Sequence, residues 1–99
     1  MYEIKKDNNR FYIEESELVG EIKFNVEGNN LIVTKTYVNP NYRGKSIARI
    51  LVDKVVEMAR LDKMMIVPVC SYVHHTFEKN EEYSDVWNKE YKYENACEI

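Results

Sequence analysis

Near the middle of the sequence, where the chain turns, several neighbouring residues are suited to binding an anion. Arg43, Gly44 and Lys45 follow Pro40 and Asn41, and an amphipathic segment comes directly after them. A helix that begins here would present free backbone N–H groups and a partial positive charge at its first turn. Two cations beside such a helix end create an anion site, and a phosphate is the expected guest. The residue types and their spacing therefore predict a phosphate-binding turn.

The alternative is an ordinary polar turn between a strand and a helix, since such turns are common. Arg43, Lys45 and Arg49 nevertheless bring three positive charges close together in a chain whose net charge is -3. This local concentration of positive charge favours the phosphate interpretation.

A second candidate centre contains Cys70 and His74. Cys70 ends an apolar run and precedes a predicted helix. A helix N-terminus favours the thiolate, so transient acetylation of Cys70 is chemically feasible. The alternative is a small buried hydrophobic residue, the commonest role of a free cysteine. His74 is a candidate base or thiol partner, whereas the adjacent His75 would point about 100° away on a helix. These residues lack a second ligand cluster, so no metal site is predicted.

Residues 43–48 read Arg-Gly-Lys-Ser-Ile-Ala. They resemble the signature of GNAT-superfamily acetyltransferases, Arg/Gln-x-x-Gly-x-Gly/Ala, at its first and last positions. Ser46 stands where the signature usually has glycine. Val38 and Pro40 match the superfamily's V-x-P-x-x-R-G lead-in. Together with this lead-in, the hexapeptide indicates a GNAT-like phosphate turn.

The segments 67–73 and 77–87 extend the resemblance towards the C-terminus. They are similar to a subfamily of very small, single-domain acetyltransferase-like proteins with a cysteine at the end of the strand after the signature helix. Cys70 occupies that position. The resemblance covers residues 11–87, which is most of the chain.

The resemblance implies that acetyl-CoA is the co-substrate and that the acceptor is an unidentified amine or protein. Backbone amides of the turn would hold the pyrophosphate. The end of the preceding strand would face the pantetheine arm and the thioester carbonyl. The expected acetyl-CoA-binding residues are Tyr37, Val38, Arg43, Gly44, Lys45, Ser46, Ile47 and Ala48. The expected catalytic residues are Cys70 and His74.

Three departures from the superfamily pattern keep a second function open. Many members have a tyrosine in a Tyr-Glu-Lys context that can protonate the departing CoA thiolate, and this chain has Phe77 there. No carboxylate stands out as a general base, and Glu21, on a predicted strand, is no more than a candidate. The two helices that usually follow the first strand are missing. The alternative function is therefore a CoA-binding or protein-interaction module without turnover.

Hydrophobic periodicity predicts an α/β fold that would position these residues. The predicted mixed sheet has three antiparallel strands, followed by a helix, a parallel strand and a second helix, as in a truncated GNAT-like fold. Pro68 should end the hydrogen-bonded part of the last strand or lie where the sheet splays. The predicted strands are residues 10–14, 18–26, 31–38 and 64–69, and the predicted helices are residues 46–61 and 71–79.

Length and composition indicate one globular domain over residues 1–99. We expect residues 83–87 to pack on it and the tail from about residue 88 to be loose. The net charge of -3 argues against nucleic acid as a partner. No run is long enough to span a membrane, and the polar first residues do not resemble a signal peptide. Two cysteines without a disulfide pattern favour the reducing cytoplasm.

Overall fold

Five strands in the described part of the chain form one mixed sheet. The structure, a computed structural model, describes residues 2–90. Buried side chains of both helices join one core cluster with one face of the sheet. The predicted α/β fold with a mixed sheet is therefore confirmed. The strands are β1 (Lys5–Asp7), β2 (Arg10–Glu14), β3 (Leu18–Glu27), β4 (Asn30–Val38) and β5 (Met65–Pro68), and the helices are α1 (Ile47–Asp62) and α2 (Ser71–Lys79).

The strands lie in chain order, and each of the first four pairs antiparallel with the next. β5 then pairs parallel with β4, after α1 has carried the chain back along the sheet. The prediction of three strands before the turn was one strand short, because β1 was not expected. Its residues are all exposed and charged, so they carry no apolar alternation that could indicate a strand.

Helix α1 packs unusually close to the start of β3. A Cβ atom added to Gly20 would lie 2.9 Å from Ile47 Cγ2 and 2.9 Å from the Tyr37 carbonyl oxygen. Gly20 therefore lets the first turn of α1 rest directly on the sheet. The helix begins one residue later than predicted, because Ser46 adopts a left-handed conformation at the N-cap position and so does not join the helix.

β4 and β5 separate halfway along β4. Their pairing ends where Val33 faces Pro68. Pro68 has no N–H group, and the amides of Val69 and Cys70 both donate to the Val33 carbonyl, at 3.0 and 2.9 Å. Beyond this point, residues 34–38 of β4 pair with β3 alone among the described strands. The prediction that Pro68 ends the ladder is confirmed, and the separation leaves an open edge on β4.

The segment after α2 packs onto the domain, as predicted. Tyr83 and Val86 are buried, and Ile66 forms a parallel bridge with Trp87. The amide of Asn88 donates to the Ile66 carbonyl at 2.9 Å, so the chain is still attached to the sheet there. The remainder of the predicted loose tail, residues 91–99, lies outside the described residues.

Candidate functional site

The turn between β4 and α1, residues 39–46, is anchored to the start of β3. We call it the connecting turn. The Asn39 amide donates to the Val19 carbonyl at 2.8 Å, and its side chain donates to the Leu18 carbonyl at 2.9 Å. The same side chain accepts a hydrogen bond from the Asn41 amide. These bonds fix the turn relative to the sheet, so the start of α1 has a defined position.

Two residues of the connecting turn have positive φ angles. Gly44 has φ 85°, and Ser46 has φ 61° and ψ 28°. Glycine adopts this conformation freely, whereas other residues are strained by roughly 1–2 kcal/mol. The backbone therefore explains why glycine is usual at the position of Ser46. The Ser46 hydroxyl makes no capping hydrogen bond, so nothing local offsets this strain.

The backbone amides of residues 44–48 point to an anion site. No hydrogen-bond acceptor within residues 2–90 pairs with them. Arg43 and Lys45 are exposed beside these amides and form no ion pair with a described residue. Phosphate groups are typically bound by free amides at a helix N-terminus with cations beside them, and this turn presents both.

A shallow depression of about 200 Å³ lies at this end of α1. A larger one, about 540 Å³, lies beside the β1–β2 turn, but its lining is confined to residues 6–9 of that turn. The smaller depression joins the end of β4, the free amides and the start of α2. We therefore regard it as the candidate site. Its lining residues are Val38, Tyr42, Arg43, Gly44, Ser46, Ile47, Ala48, Arg49 and Tyr72.

Arg49 does not act as a third free cation at this site. Its guanidinium donates to the Tyr83 hydroxyl and, at 3.1 Å, to Glu82, and it lies 3.7 Å from Asp53. Burial, together with the hydrogen bond to Asp53, raises the pKa of Tyr83 to about 12. The expected cluster of three free cations is thus reduced to two. Tyr83 and Glu82 come from the segment after α2, and the local sequence around Arg49 does not indicate that they pair with it.

Tyr37 and Val38 lie at the end of the open edge of β4. Tyr37 is 36% exposed, and Val38 is half-buried against the core. Glu21 lies directly opposite Tyr37 on β3, so it is well placed as a candidate base. Its carboxylate, however, accepts a 2.6 Å hydrogen bond from Arg10 and is nearly buried. Glu21 would have to leave this ion pair in order to take a proton.

Cys70 lies where β4 and β5 separate. It is half-buried and occupies the N-cap position of α2, without a capping hydrogen bond from its side chain. Its Sγ atom donates to the Thr36 hydroxyl at 3.4 Å, across the opening between the two strands. The thiol therefore lies beside the open edge of β4, and its role in acyl chemistry stays a prediction.

His74 and Cys70 are one helical turn apart, but their side chains have different partners. The His74 ring packs edge-on against Trp87 at 5.5 Å, and its Nδ1 atom is 3.7 Å from Glu78. Within residues 2–90, no hydrogen bond joins the ring to Cys70. The role of His74 as a base stays a prediction without a supporting contact.

Phe77 belongs to the core and not to the site. It is buried and stacks on Tyr83 with ring centroids 5.0 Å apart. Two tyrosines that sequence reasoning missed, Tyr42 and Tyr72, do line the depression. Loss of solvation, followed by the charges of Glu17 and Glu15, raises the pKa of Tyr42, so its hydroxyl stays protonated at neutral pH.

Two other kinds of site are not found among the described residues. No group of three or more metal-binding side chains comes together within residues 2–90. Neither helix in this part of the chain has the length and apolar character needed to cross a membrane.

Comparisons with known proteins place this geometry in a family. The family model for GCN5-related N-acetyl-transferase matches residues 2–86. The solution structure of a GCN5-like protein from Staphylococcus aureus is 30% identical, with a TM-score of 0.77 and 95% coverage of both chains. A crystal structure with acetyl-CoA, of a predicted acetyltransferase from Clostridium acetobutylicum, is 19% identical with a TM-score of 0.54. The comparison with curated proteins finds no match.

The chain belongs to the GCN5-related N-acetyltransferase family. The family model covers more than half of the sequence, and the Staphylococcus aureus structure agrees over nearly the whole length of both chains. The Clostridium acetobutylicum structure supports the fold alone at its lower identity. The superposition covers 91% of this chain but only 65% of that larger protein.

Proposed function

We propose that this chain binds acetyl-CoA and transfers the acetyl group to an amine. The main support for this proposal is the run of free backbone amides at residues 44–48 beside the unpaired Arg43 and Lys45. In this proposal the amides hold the pyrophosphate, and the two cations neutralise its charge. Family membership supports acetyl-CoA as the donor of that pyrophosphate.

The pantetheine arm would follow the open edge of β4. Residues 34–38 have β3 on one side and no described strand on the other. An extended arm with two amide groups can add to such an edge as another strand would. It would run from the connecting turn past Val38 towards Thr36 and Cys70. Tyr37 and Val38 would then flank the thioester, where a backbone N–H could stabilise the oxyanion.

The transfer step itself needs little from acidic or basic side chains. A neutral amine attacks the thioester carbonyl carbon, and the new C–N bond gives a tetrahedral oxyanion. Collapse of this intermediate breaks the C–S bond and releases the CoA thiolate. The ammonium proton passes to water, because Glu21 is paired with Arg10. Cys70 lines the acyl site in this scheme, and His74 has no step assigned to it.

A CoA-binding module without turnover is the second candidate. Two observations favour it: Glu21 is held by Arg10, and Phe77 offers no hydroxyl to the leaving thiolate. Such a module would use the same amides and the same open edge. It would differ only in lacking an acceptor that reacts.

An acetyl-transfer assay distinguishes the two candidates. The protein is incubated with acetyl-CoA and a panel of lysine-containing and N-terminal peptides, and acetylated products are followed by mass spectrometry. Catalysed product formation that is lost in the Arg43→Ala/Lys45→Ala double variant supports the transferase. Tight acetyl-CoA binding without any product supports the binding module.

Cys70→Ala tests the role of the thiol in the same assay. Phosphate binding and acyl chemistry lie on different elements, so we expect the affinity for acetyl-CoA to stay within roughly tenfold, about 1.4 kcal/mol. Acetylation at position 70, if the wild type shows it, should disappear. Loss of acetyl-CoA binding in a folded variant would contradict this separation of roles. The cytoplasm, where thiols stay reduced, is the location we propose for this chemistry.

A further inference from the structure

A row of cations crosses the sheet face that lies opposite the helices. Arg10 pairs with Lys23, and Lys23 pairs with Lys35, in register across β2, β3 and β4. The neighbouring residues Phe11 and Ile22 point into the core, so the row points away from it. Adjacent strands are about 4.8 Å apart, which brings three positive charges within about 10 Å. We call these three residues the basic row.

The basic row is not explained by the stability of the fold. Like charges directly opposite each other in a sheet are unfavourable. Arg10 is paired with Asp7 and Glu21. Lys23 and Lys35 form no ion pair with any residue between 2 and 90. Two neighbouring lysines without a carboxylate partner, in a chain of net charge -3, indicate an external anionic partner.

The basic row lies next to the candidate acyl site. Lys35 and Tyr37 are on the same face of β4, two residues and about 7 Å apart. Other charged groups on this face are Lys5, Glu14, Glu27 at the far end of β3, and the two carboxylates that pair with Arg10, Asp7 and Glu21. A ligand lying along the row would therefore end beside Tyr37.

We propose that this face docks an acidic polypeptide segment, and that this segment carries the acceptor amine. Carboxylates of the segment would pair with Lys23 and Lys35, and the amine would reach the end of β4. The identity of the segment as acceptor rests on the proposed acetyl transfer. The docking itself does not, because the basic row and the phosphate site are separate groups of residues.

An acidic peptide fits the basic row better than nucleic acid does. Nucleic acids need a longer basic track and free aromatic rings on which bases can stack. The row contains three cations, and the Tyr12 ring is covered by the Arg10 guanidinium, 4.0 Å from the ring centre. The net charge of -3 also repels a long polyanion. A few carboxylates at strand-like spacing match the length of the row and need no stacking rings, and a short peptide carries less negative charge for the protein to repel.

A titration with a hexaglutamate peptide tests the proposal. Amide NMR spectra of the protein at low salt should shift around Arg10, Lys23 and Lys35, and the shifts should weaken as salt is added. The Lys23→Thr/Lys35→Thr double variant should bind the peptide at least fivefold more weakly. Lys6→Thr, a matched change on β1 where the side chain points to the other face, should bind it as the wild type does.

The double variant should fold, because threonine is a good strand former and the substitutions remove the charge repulsion between the lysines. If it does not fold, Lys35→Gln alone is tested for weaker binding of the peptide. Equal binding by wild type and double variant, or shifts confined to the connecting turn, would overturn the proposal. Tighter binding of a ten-residue oligothymidine than of hexaglutamate would do the same. Amide shifts of residues 44–48 on addition of acetyl-CoA, measured separately, should persist in the double variant, so failure of the phosphate site would remain distinguishable.

Discussion

At the scale of single residues, the site depends on backbone groups more than on side chains. The amides of residues 44–48 have no partner within the described chain, and only Arg43 and Lys45 add charge beside them. If acetyl-CoA binds as proposed, the exposed side chains at the turn affect ligand binding without contributing to the core. This separation makes binding and stability independently measurable.

Arg43→Ala and Lys45→Ala should each weaken acetyl-CoA binding by roughly 5- to 20-fold, about 1–2 kcal/mol. Both residues are exposed, so the free energy of unfolding should change by less than about 0.5 kcal/mol. Calorimetry gives the affinity, and urea unfolding gives the stability. Lys54→Ala, on α1 away from the connecting turn and paired with Glu57, is the control and should keep the affinity. An unchanged affinity together with lowered stability would assign both residues a structural role.

Substitutions of Ser46 test the strain in the connecting turn. Ser46→Gly removes a left-handed serine, but it also makes the unfolded chain more flexible, so stability should stay within about 1 kcal/mol. Ser46→Val puts a β-branched residue at φ 61° and should lower the free energy of unfolding by roughly 1–3 kcal/mol. Urea unfolding of both variants provides the comparison. A valine variant as stable as the glycine variant would show that the turn is not constrained at this residue.

At the scale of elements, three contacts create the site. Asn39 fixes the connecting turn to β3, Pro68 ends the pairing of β4 with β5, and Gly20 allows α1 to approach the sheet. The first two hold the turn and open the edge of β4. The third brings the first turn of α1, with its free amides, to that edge.

Gly20→Ala should disturb the site from outside it. The added methyl group would lie 2.9 Å from the Tyr37 carbonyl, so α1 or β4 must shift. Overpacking of this kind lowers the free energy of unfolding by about 1–3 kcal/mol, and acetyl-CoA binding should weaken as well. Asn25→Ala, at an exposed position of the same strand, is the control. If Gly20→Ala matches the wild type in both stability and affinity, the close approach has no functional role.

The elements that sequence reasoning found are those with strong local signals. Alternating residues gave β2 and β3, and the periodic stripe with its turn residues gave α1. Helix α2 was predicted with its observed bounds, Ser71–Lys79. Strand β1 was missed because it is held by pairing with β2 and not by any pattern of its own. Tertiary partners that are distant in sequence leave no local trace.

Contacts between residues distant in sequence were also what could not be predicted at the candidate site. The existence of the connecting turn and the position of Cys70 after β5 followed from the residues and the resemblance, whereas phosphate binding at the turn stays a prediction. Arg49 was counted as a free cation because its partners come from more than 30 positions further on. Tyr72 was missed because the helical pattern shows which residues are exposed but not which depression they line.

At the scale of the whole molecule, the segment after α2 is fastened to α1 by polar contacts. The buried Tyr83 hydroxyl donates to Asp53 and accepts from Arg49, and Arg60 pairs with Asp85. Arg60 in turn holds the pKa of Asp85 below its usual range. These contacts keep the last part of the described chain against α1, the helix at whose start the phosphate site is proposed.

The Tyr83 hydroxyl predicts how stability depends on alkaline pH. Its pKa is raised from 10.0 to about 12 in the folded protein, so the protonated form is favoured there. The resulting stabilisation is fully present below about pH 10 and is lost as pH rises towards 12, on the order of 2–3 kcal/mol. Urea unfolding across this range should show a steeper loss in the wild type than in Tyr83→Phe. Tyr72→Phe, at an exposed tyrosine, should follow the wild type; equal slopes for all three would contradict the assignment.

The central claim is that acetyl-CoA binds through the backbone amides at the start of α1. An amide NMR titration of the whole chain with acetyl-CoA tests it most directly. The account predicts the largest shifts at residues 44–48, with smaller shifts at Tyr37, Val38 and Cys70 along the open edge of β4. No shifts at millimolar acetyl-CoA, or shifts that leave the connecting turn unchanged, would contradict it.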